Sequence, residues 1–202
     1  MDRSVVPFGK PRAERADAVR NREHLLRAAR EMLAEQGVDK VTMDGLAERA
    51  GLGKGTVFRR FGTRAGIFRA LLDADERNFQ EQVLSGPPPL GPGAEPVERL
   101  VAYGRARIAF LLDHQAVARA AIDRNRPAPV GDASVTQLHI RMLLPKAAPM
   151  PNLDGVAVQL TAALEGPLLL YLSRPETDTD LTAETRDFLG DAWQTLIERL
   201  VR

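Results

Sequence analysis

The stretch over residues 41–68, VTMDGLAERAGLGKGTVFRRFGTRAGIF, admits few folds. Thr42 stands just before Met43, Leu46, Ala47 and Ala50, which recur at helical spacing on one face. Thr is a good N-cap because its hydroxyl accepts a bond from an orphan amide of the first turn. Gly51 sits where a left-handed residue ends a helix, since it carries no Cβ penalty there. A second short run opens at Gly53 and Lys54, closes at Phe61, and has Gly62 as its stop. The pattern is helix-turn-helix. The second helix carries Lys54, Thr56, Arg59 and Arg60, the composition of a helix that approaches phosphates and base edges.

The flanks give this motif its setting. Residues 1–16 hold Pro7, Gly9, Pro11 and scattered cations without periodicity, so a flexible basic arm is expected. It is either a simple tail or a strap along a DNA groove. A first helix from about residue 17 or 19 to Gln36 shows an apolar face of Leu25, Leu26, Ala29, Met32 and Leu33, with Gly37 following as stop. Thr63 caps a fourth helix whose inward face is Ile67, Phe68, Leu71 and Leu72. Five prolines and three glycines in SGPPPLGPGAEP, residues 85–96, interrupt everything helical. Helical periodicity then resumes over 97–114, 115–124, 132–146, 152–173 and 182–200. Stops at Asn125, Pro127 and Pro129 and a Pro167 inside the fourth run punctuate it. No alternating strand pattern is readable. The chain is therefore expected to be all-α, with about nine helices: an arm over 1–16, a helix-turn-helix domain over 17–68 and a larger helical domain over 69–202.

Charge divides along the same line. Residues 1–70 hold 15 Lys/Arg against 9 Asp/Glu, a net +6, and the remainder holds 13 against 18, a net −5. The excess of cations falls in the motif-bearing half, as contact with phosphates requires. Apolar residues are 44% and aromatics only 5%, so aliphatic side chains and Ala must build most of the core. The absence of Cys rules out disulfides and thiolate metal sites, and a reducing cytoplasm is the natural setting. No apolar signal region and no run of about 18 apolar residues is present.

The segment from about Arg22 to Leu72 resembles the DNA-binding domain of the TetR family of transcriptional regulators. The likeness rests on AAREMLAEQGVDKVTMDGLAERAGLGKGTVFRRFGTRAGIFRALL: the one-turn link from Gly37 to Thr42, the A-x-x-A-G turn at Ala47 to Gly51, the run Gly55 to Phe58, and the closing Phe61-Gly62. It covers about a quarter of the chain. The resemblance implies that Thr42 bonds a phosphate, that Gly53, Lys54, Gly55, Thr56 and Val57 enter the major groove with Arg59 beside them, and that Phe58, Arg60, Thr63 and Arg64 grip the backbone. Three positions depart from the family pattern. Gly53 replaces the usual Ser or Thr cap, at a cost of only a few tenths of a kcal/mol. Phe58 replaces the usual Tyr and forfeits a hydroxyl-to-phosphate bond, worth about 1.5–3 kcal/mol where the partner is charged. Arg60 replaces the usual His, and its permanent guanidinium is the better phosphate partner at neutral pH. The alternative for Phe58 is that it packs into the core of the motif.

One short recognition helix reads few base pairs, so a symmetric dimer on a palindrome is expected, with helices one turn apart at about 34–36 Å or somewhat more. Leu160, Leu164, Leu168, Tyr171, Leu189, Trp193, Leu196 and Leu200 on the last two helices supply apolar surface for it. The resemblance implies a four-helix interface there, and a small-molecule pocket among the middle helices whose occupation releases DNA. Candidates for its lining are Tyr103, Arg107, Phe110, His114, Leu138, His139, Met142 and Trp193, a mainly hydrophobic set. A repressor is the family expectation.

Other classes fit less well. GLGKGT at residues 51–56 superficially resembles a phosphate-cradling loop, but Gly55 stands where Ser or Thr is needed and no strand precedes it. No H-E-x-x-H, G-x-S-x-G or zinc spacing occurs, and His114 and His139 have no readable carboxylate partner. Neither an enzyme nor a cofactor is indicated. A helix-turn-helix protein working through protein partners is the remaining alternative, and the retained cations weigh against it.

Overall fold

The computed structural model describes residues 12–122, 135–172 and 183–202, of which 12–16, 170–172 and 183 are described as backbone only. All regular structure among them is helical: α1 (Arg12–Gln36), a 3-10 turn (Val38–Lys40), α2 (Met43–Arg49), α3 (Lys54–Phe61), α4 (Arg64–Ser85), α5 (Pro96–Asp113), α6 (Gln115–Ala120), α7 (Val135–Ala147), α8 (Leu153–Leu172) and α9 (Ala183–Leu200). The chain forms two compact units, divided between Leu71 and Leu72 inside α4.

The first unit is built as its sequence dictates. The apolar face of α1, Leu25, Leu26, Ala29 and Met32, is buried, as are Val41, Leu46, Ala47, Val57, Ile67, Phe68 and Leu71. Helix α1 packs against the 3-10 turn and α2, and α2 against α3. Thr42 is the N-cap of α2, with its Oγ1 accepting the Gly45 N–H at 3.0 Å. At the other end Gly51 takes φ 61°, and the Leu52 and Gly51 amides reach back to the Ala47 and Glu48 carbonyls at 3.0 and 3.1 Å. Those two bonds form a Schellman motif, which turns the chain sharply into α3. Gly62 at φ 71° ends α3, and Thr63 caps α4 by accepting the Gly66 amide at 3.1 Å. Helix α1 begins at Arg12, earlier than the expected residue 17 or 19. RAERAD is rich in good helix formers, and no proline interrupts it after Pro11. The remainder of the expected arm, 1–11, lies outside the described residues.

In the second unit α5 is central, contacting α6, α7, α8 and α9. Its core joins Phe79 and Val83 of α4, Leu100, Tyr103, Ile108 and Leu112 of α5, Ile140, Leu143 and Leu144 of α7, Leu160 and Leu164 of α8, and Trp193 and Ile197 of α9. Helices α5 and α9 meet closely at Gly104, where an added Cβ would lie 1.9 Å from the Trp193 indole nitrogen. Only Gly fits there, and the indole N–H, now beside the α5 backbone, donates to the Leu100 carbonyl at 2.9 Å. Pro96 opens α5 at a first-turn position, where its missing N–H costs nothing. Pro145 and Pro167 lie inside α7 and α8, so neither ends its helix at once. The stops expected at Asn125, Pro127 and Pro129 lie outside the described residues.

Candidate nucleic-acid interface

Helix α3 offers solvent a face with no acidic residue, KGTVFRRF. Gly53, Lys54, Gly55, Phe58, Arg59 and Arg60 are exposed and Thr56 is half-buried. Val57 corrects the sequence reading. It is 0% exposed and is the residue that α3 buries, so it cannot enter a groove. A short helix must dock something against α2 to hold its angle, and Val57 does so. Phe58, about 100° further round the helix, is 64% exposed. It therefore stays outside the core, and packing of its ring among the motif's apolar residues is excluded.

The cations of this face are each engaged within the protein. Lys54 Nζ lies 2.9 Å from Asp44 Oδ2, both side chains being largely exposed. Arg59 donates to Thr56 Oγ1 at 3.4 Å. Arg60 reaches back to α1 and donates to the Ala18 carbonyl at 2.5 Å. A shallow cavity of about 210 Å³ opens beside it, lined by Ala18, Asn21, Leu25, Thr56, Arg59 and Arg60. Arg64 differs from the expectation that it grips phosphate. Its Nε donates to the Val41 carbonyl at 2.8 Å and a terminal nitrogen to Val38 at 2.6 Å, with the guanidinium 4.9 Å over the Phe68 ring. It ties the 3-10 turn and the link into α2 to the start of α4. Thr42 and Thr63 are exposed caps. Each hydroxyl accepts an amide and keeps a proton to donate, so capping and phosphate contact are compatible. Asp44, Ala18 and Asn21 carried no readable signal. Asp44 looks like an ordinary acidic residue in a helix's first turn.

The second unit contains a seam of polar groups. Tyr103, buried, donates its hydroxyl to Thr136 Oγ1 at 2.9 Å and stacks on His139 with ring centroids 4.4 Å apart. His139 is 5% exposed, and its Nε2 is buried without a hydrogen-bond partner among the described residues. Burial, assisted by the positive charge of Arg99, pushes its pKa down to about 4. Burial also raises the Tyr103 pKa. Arg107 pairs with Glu76 at 2.6 Å and more loosely with Glu165 at 3.7 Å, its guanidinium 5.7 and 5.3 Å from the rings of Phe79 and Phe110. His114 stacks on Phe110, with Nε2 3.3 Å from Asp75 Oδ2, so it does have a carboxylate neighbour. Two of the expected lining residues do not belong to this seam. Leu138 and Met142 are 51% and 45% exposed, because α7 turns His139, Ile140, Leu143 and Leu144 inward. Trp193 is a core residue whose indole N–H donates to the Leu100 carbonyl.

The expected dimer residues also divide. Leu160, Leu164 and Trp193 are buried in the intrachain core, and Leu189 and Leu200 pack partly against it. Leu168 is half-buried, Leu196 is exposed, and the side chain of Tyr171 lies outside the described residues. The exposed apolar residues of these helices are instead Val158 and Leu169 on α8 and Phe188 with Leu196 on α9. Leu160, Leu196 and Leu200 do share the lining of an open depression of about 470 Å³, with Asn152, Gly155, Val156 and Gln159. Because α8 is apolar almost all round, its periodicity offered no contrast between inner and outer faces. No described helix is long and apolar enough to cross a membrane, and no group of His, Asp and Glu among the described residues could hold a metal ion.

Comparison with known proteins places the first unit. Residues 25–71 match the family model for bacterial regulatory proteins of the tetR family. An HTH-type transcriptional regulator of Staphylococcus aureus is 29% identical over 68 residues, 34% of this chain and 37% of that protein. The DNA-binding transcriptional repressor TetR of Mycobacteroides abscessus is 36% identical over 59 residues, 29% of this chain and 31% of that one. The chain thus spans about a third of the length of the curated relatives it matches. The fold is shared more widely. A TetR-family regulator from Pectobacterium atrosepticum superposes with a TM-score of 0.63 at 19% identity, over 96% of both chains. One from Pseudomonas syringae pv. tomato does so with 0.55 at 20% identity, over 87% of this chain and 94% of that one. Over residues 25–71 the chain is therefore similar to bacterial regulatory proteins of the tetR family, and the rest of it shares the all-helical fold of the solved regulators.

Proposed function

We propose that this protein is a DNA-binding transcriptional regulator, a repressor released from a palindromic operator by a small molecule. The observation that carries the reading is the acid-free outer face of α3, where Lys54, Phe58, Arg59 and Arg60 surround a backbone held at a fixed angle by the Schellman turn and by Val57. In this reading Lys54, Gly55 and Thr56 with Arg59 meet base edges, while Thr42, Thr63 and Arg60 meet phosphates. Arg60 first exchanges the Ala18 carbonyl for a phosphate oxygen, a stronger partner for a guanidinium. Residues 17–68 act as the DNA-binding domain and 69–202 as the regulatory one.

A second copy covers the outer apolar residues Val158, Leu169, Phe188 and Leu196. Exposed apolar side chains on both α8 and α9 favour a four-helix contact between symmetry-related copies. The seam around Tyr103, Arg107, Phe110, His114 and His139 receives the ligand, which must bind the DNA-incompetent state more tightly to shift the population. The unpartnered His139 Nε2 and the stacked rings favour an aromatic or aliphatic compound with a hydrogen-bonding group.

Selection of bound sequences from random duplexes tests the reading. A palindromic consensus is expected, bound by a species of twice the chain mass, with affinity falling steeply between 50 and 200 mM salt as counterions are released. Affinity indifferent to salt, or no enrichment of any sequence, overturns it.

A further inference from the structure

Lys54 is the first residue of α3, and its ammonium pairs at 2.9 Å with Asp44, which stands in the first turn of α2. Asp44 is thus a carboxylate on the very surface where phosphates would arrive. An exposed pair of this kind stabilises a fold by at most about 1 kcal/mol, so folding gives little reason for it. On a DNA-binding surface it has a larger effect, because a fixed anion repels the backbone and holds a cation that would otherwise attract it. We propose that Asp44 is a specificity-determining residue, which withholds Lys54 from non-specific phosphates and yields it to a guanine edge in the bound site.

The inference rests on the DNA-binding reading and adds a partner to it. Non-specific binding is set by cations neutralising phosphates, and a lysine already facing a carboxylate contributes less to that sum. A guanine in the major groove offers O6 and N7 together, acceptors placed to draw the ammonium off its carboxylate. Arg59 and Arg60 differ from Lys54 in being held by a hydroxyl and a carbonyl, neutral acceptors that a phosphate displaces readily. The recognition helix therefore carries two cations that any duplex can use and one that is opposed by charge. Discrimination built by opposing the wrong partner is a common route to specificity.

The test uses the full chain, the duplex recovered by selection and an unrelated duplex of equal length, each titrated over a range of salt. Asp44→Asn should raise affinity for the unrelated duplex about 3–10-fold and steepen its salt dependence by about one released ion, while affinity for the selected duplex changes less than about 2-fold. In a Lys54→Ala background the same substitution should have an effect below about 2-fold on either duplex, since the pair no longer exists. Equal gains on both duplexes would mean a general field effect and overturn the proposal. So would gains that persist without Lys54, or a loss of the selected duplex, which would mean that Asp44 itself reads a base. Should the unmodified chain bind neither duplex, the DNA-binding reading fails and this proposal falls with it; failure of the variants alone removes only the role of Asp44.

Discussion

The two units place their polar chemistry on opposite sides of their cores. In the first, Lys54, Arg59 and Arg60 project from a short helix while aliphatic side chains fill the inside. In the second, Tyr103, His139 and Arg107 are drawn inward among aromatic rings, and the outer surfaces of α8 and α9 carry Val158, Leu169 and Phe188. A surface that meets a polyanion can be made of solvated charges, at little cost to folding. An interior seam desolvates every group it holds, and an unmatched nitrogen such as His139 Nε2 is then a standing penalty. The first arrangement is tolerant of change in the fold but exacting in charge. The second is exacting in both.

Substitutions in each unit put that contrast to the test. The largest effect is expected at the α5–α9 crossing, where Trp193→Ala removes a buried ring and an N–H bond and should cost about 3–5 kcal/mol, read from denaturant unfolding. Gly104→Ala, which forces a methyl group into that ring, should also destabilise strongly. Next comes pH. His139 binds its proton less readily folded, at about 4, than unfolded near 6.5, so the unfolded state holds more protons between those values. Stability from this group is therefore complete above about pH 6.5 and declines as pH falls through about 4, by roughly 3 kcal/mol in all. His139→Gln should flatten that decline in urea midpoints measured between pH 4 and 7.

In the first unit the effects are smaller and separate by residue. Val57→Ala should lower stability by about 1.5–3 kcal/mol and leave the selected DNA sequence unchanged. A changed base preference at unchanged stability would return Val57 to the groove. Phe58→Tyr restores a hydroxyl on a ring already outside the core, and should leave the unfolding midpoint in place while raising DNA affinity about 10–100-fold.

How much was legible follows the same division. The caps at Thr42 and Thr63 and the left-handed glycines at 51 and 62 could be read because each rests on local backbone geometry, which a few neighbouring residues determine. Helix spans were legible wherever apolar and polar residues alternate in contrast. Val57 and Arg64 were misplaced for a different reason. A motif marks which positions face a partner on average, whereas burial of Val57 depends on how α3 packs against α2, and Arg64 is claimed by two carbonyls 23 and 26 residues away. Which of the expected dimer residues are buried within the chain was not legible on α8, because that helix is so uniformly apolar that sequence alone cannot say which leucines face inward. The Asp44–Lys54 pair joins two helices across the turn, and nothing in either residue's neighbours announces it.

Trp193 is the only tryptophan in the chain, and it is sealed in the second unit against the α5 backbone. Its emission is therefore a built-in reporter of that unit alone. The first unit, without tryptophan, is silent in the same signal, whereas ellipticity at 222 nm sums the helices of both. Comparing the two traces through a single titration would reveal whether the units melt together or in turn, without any label being added.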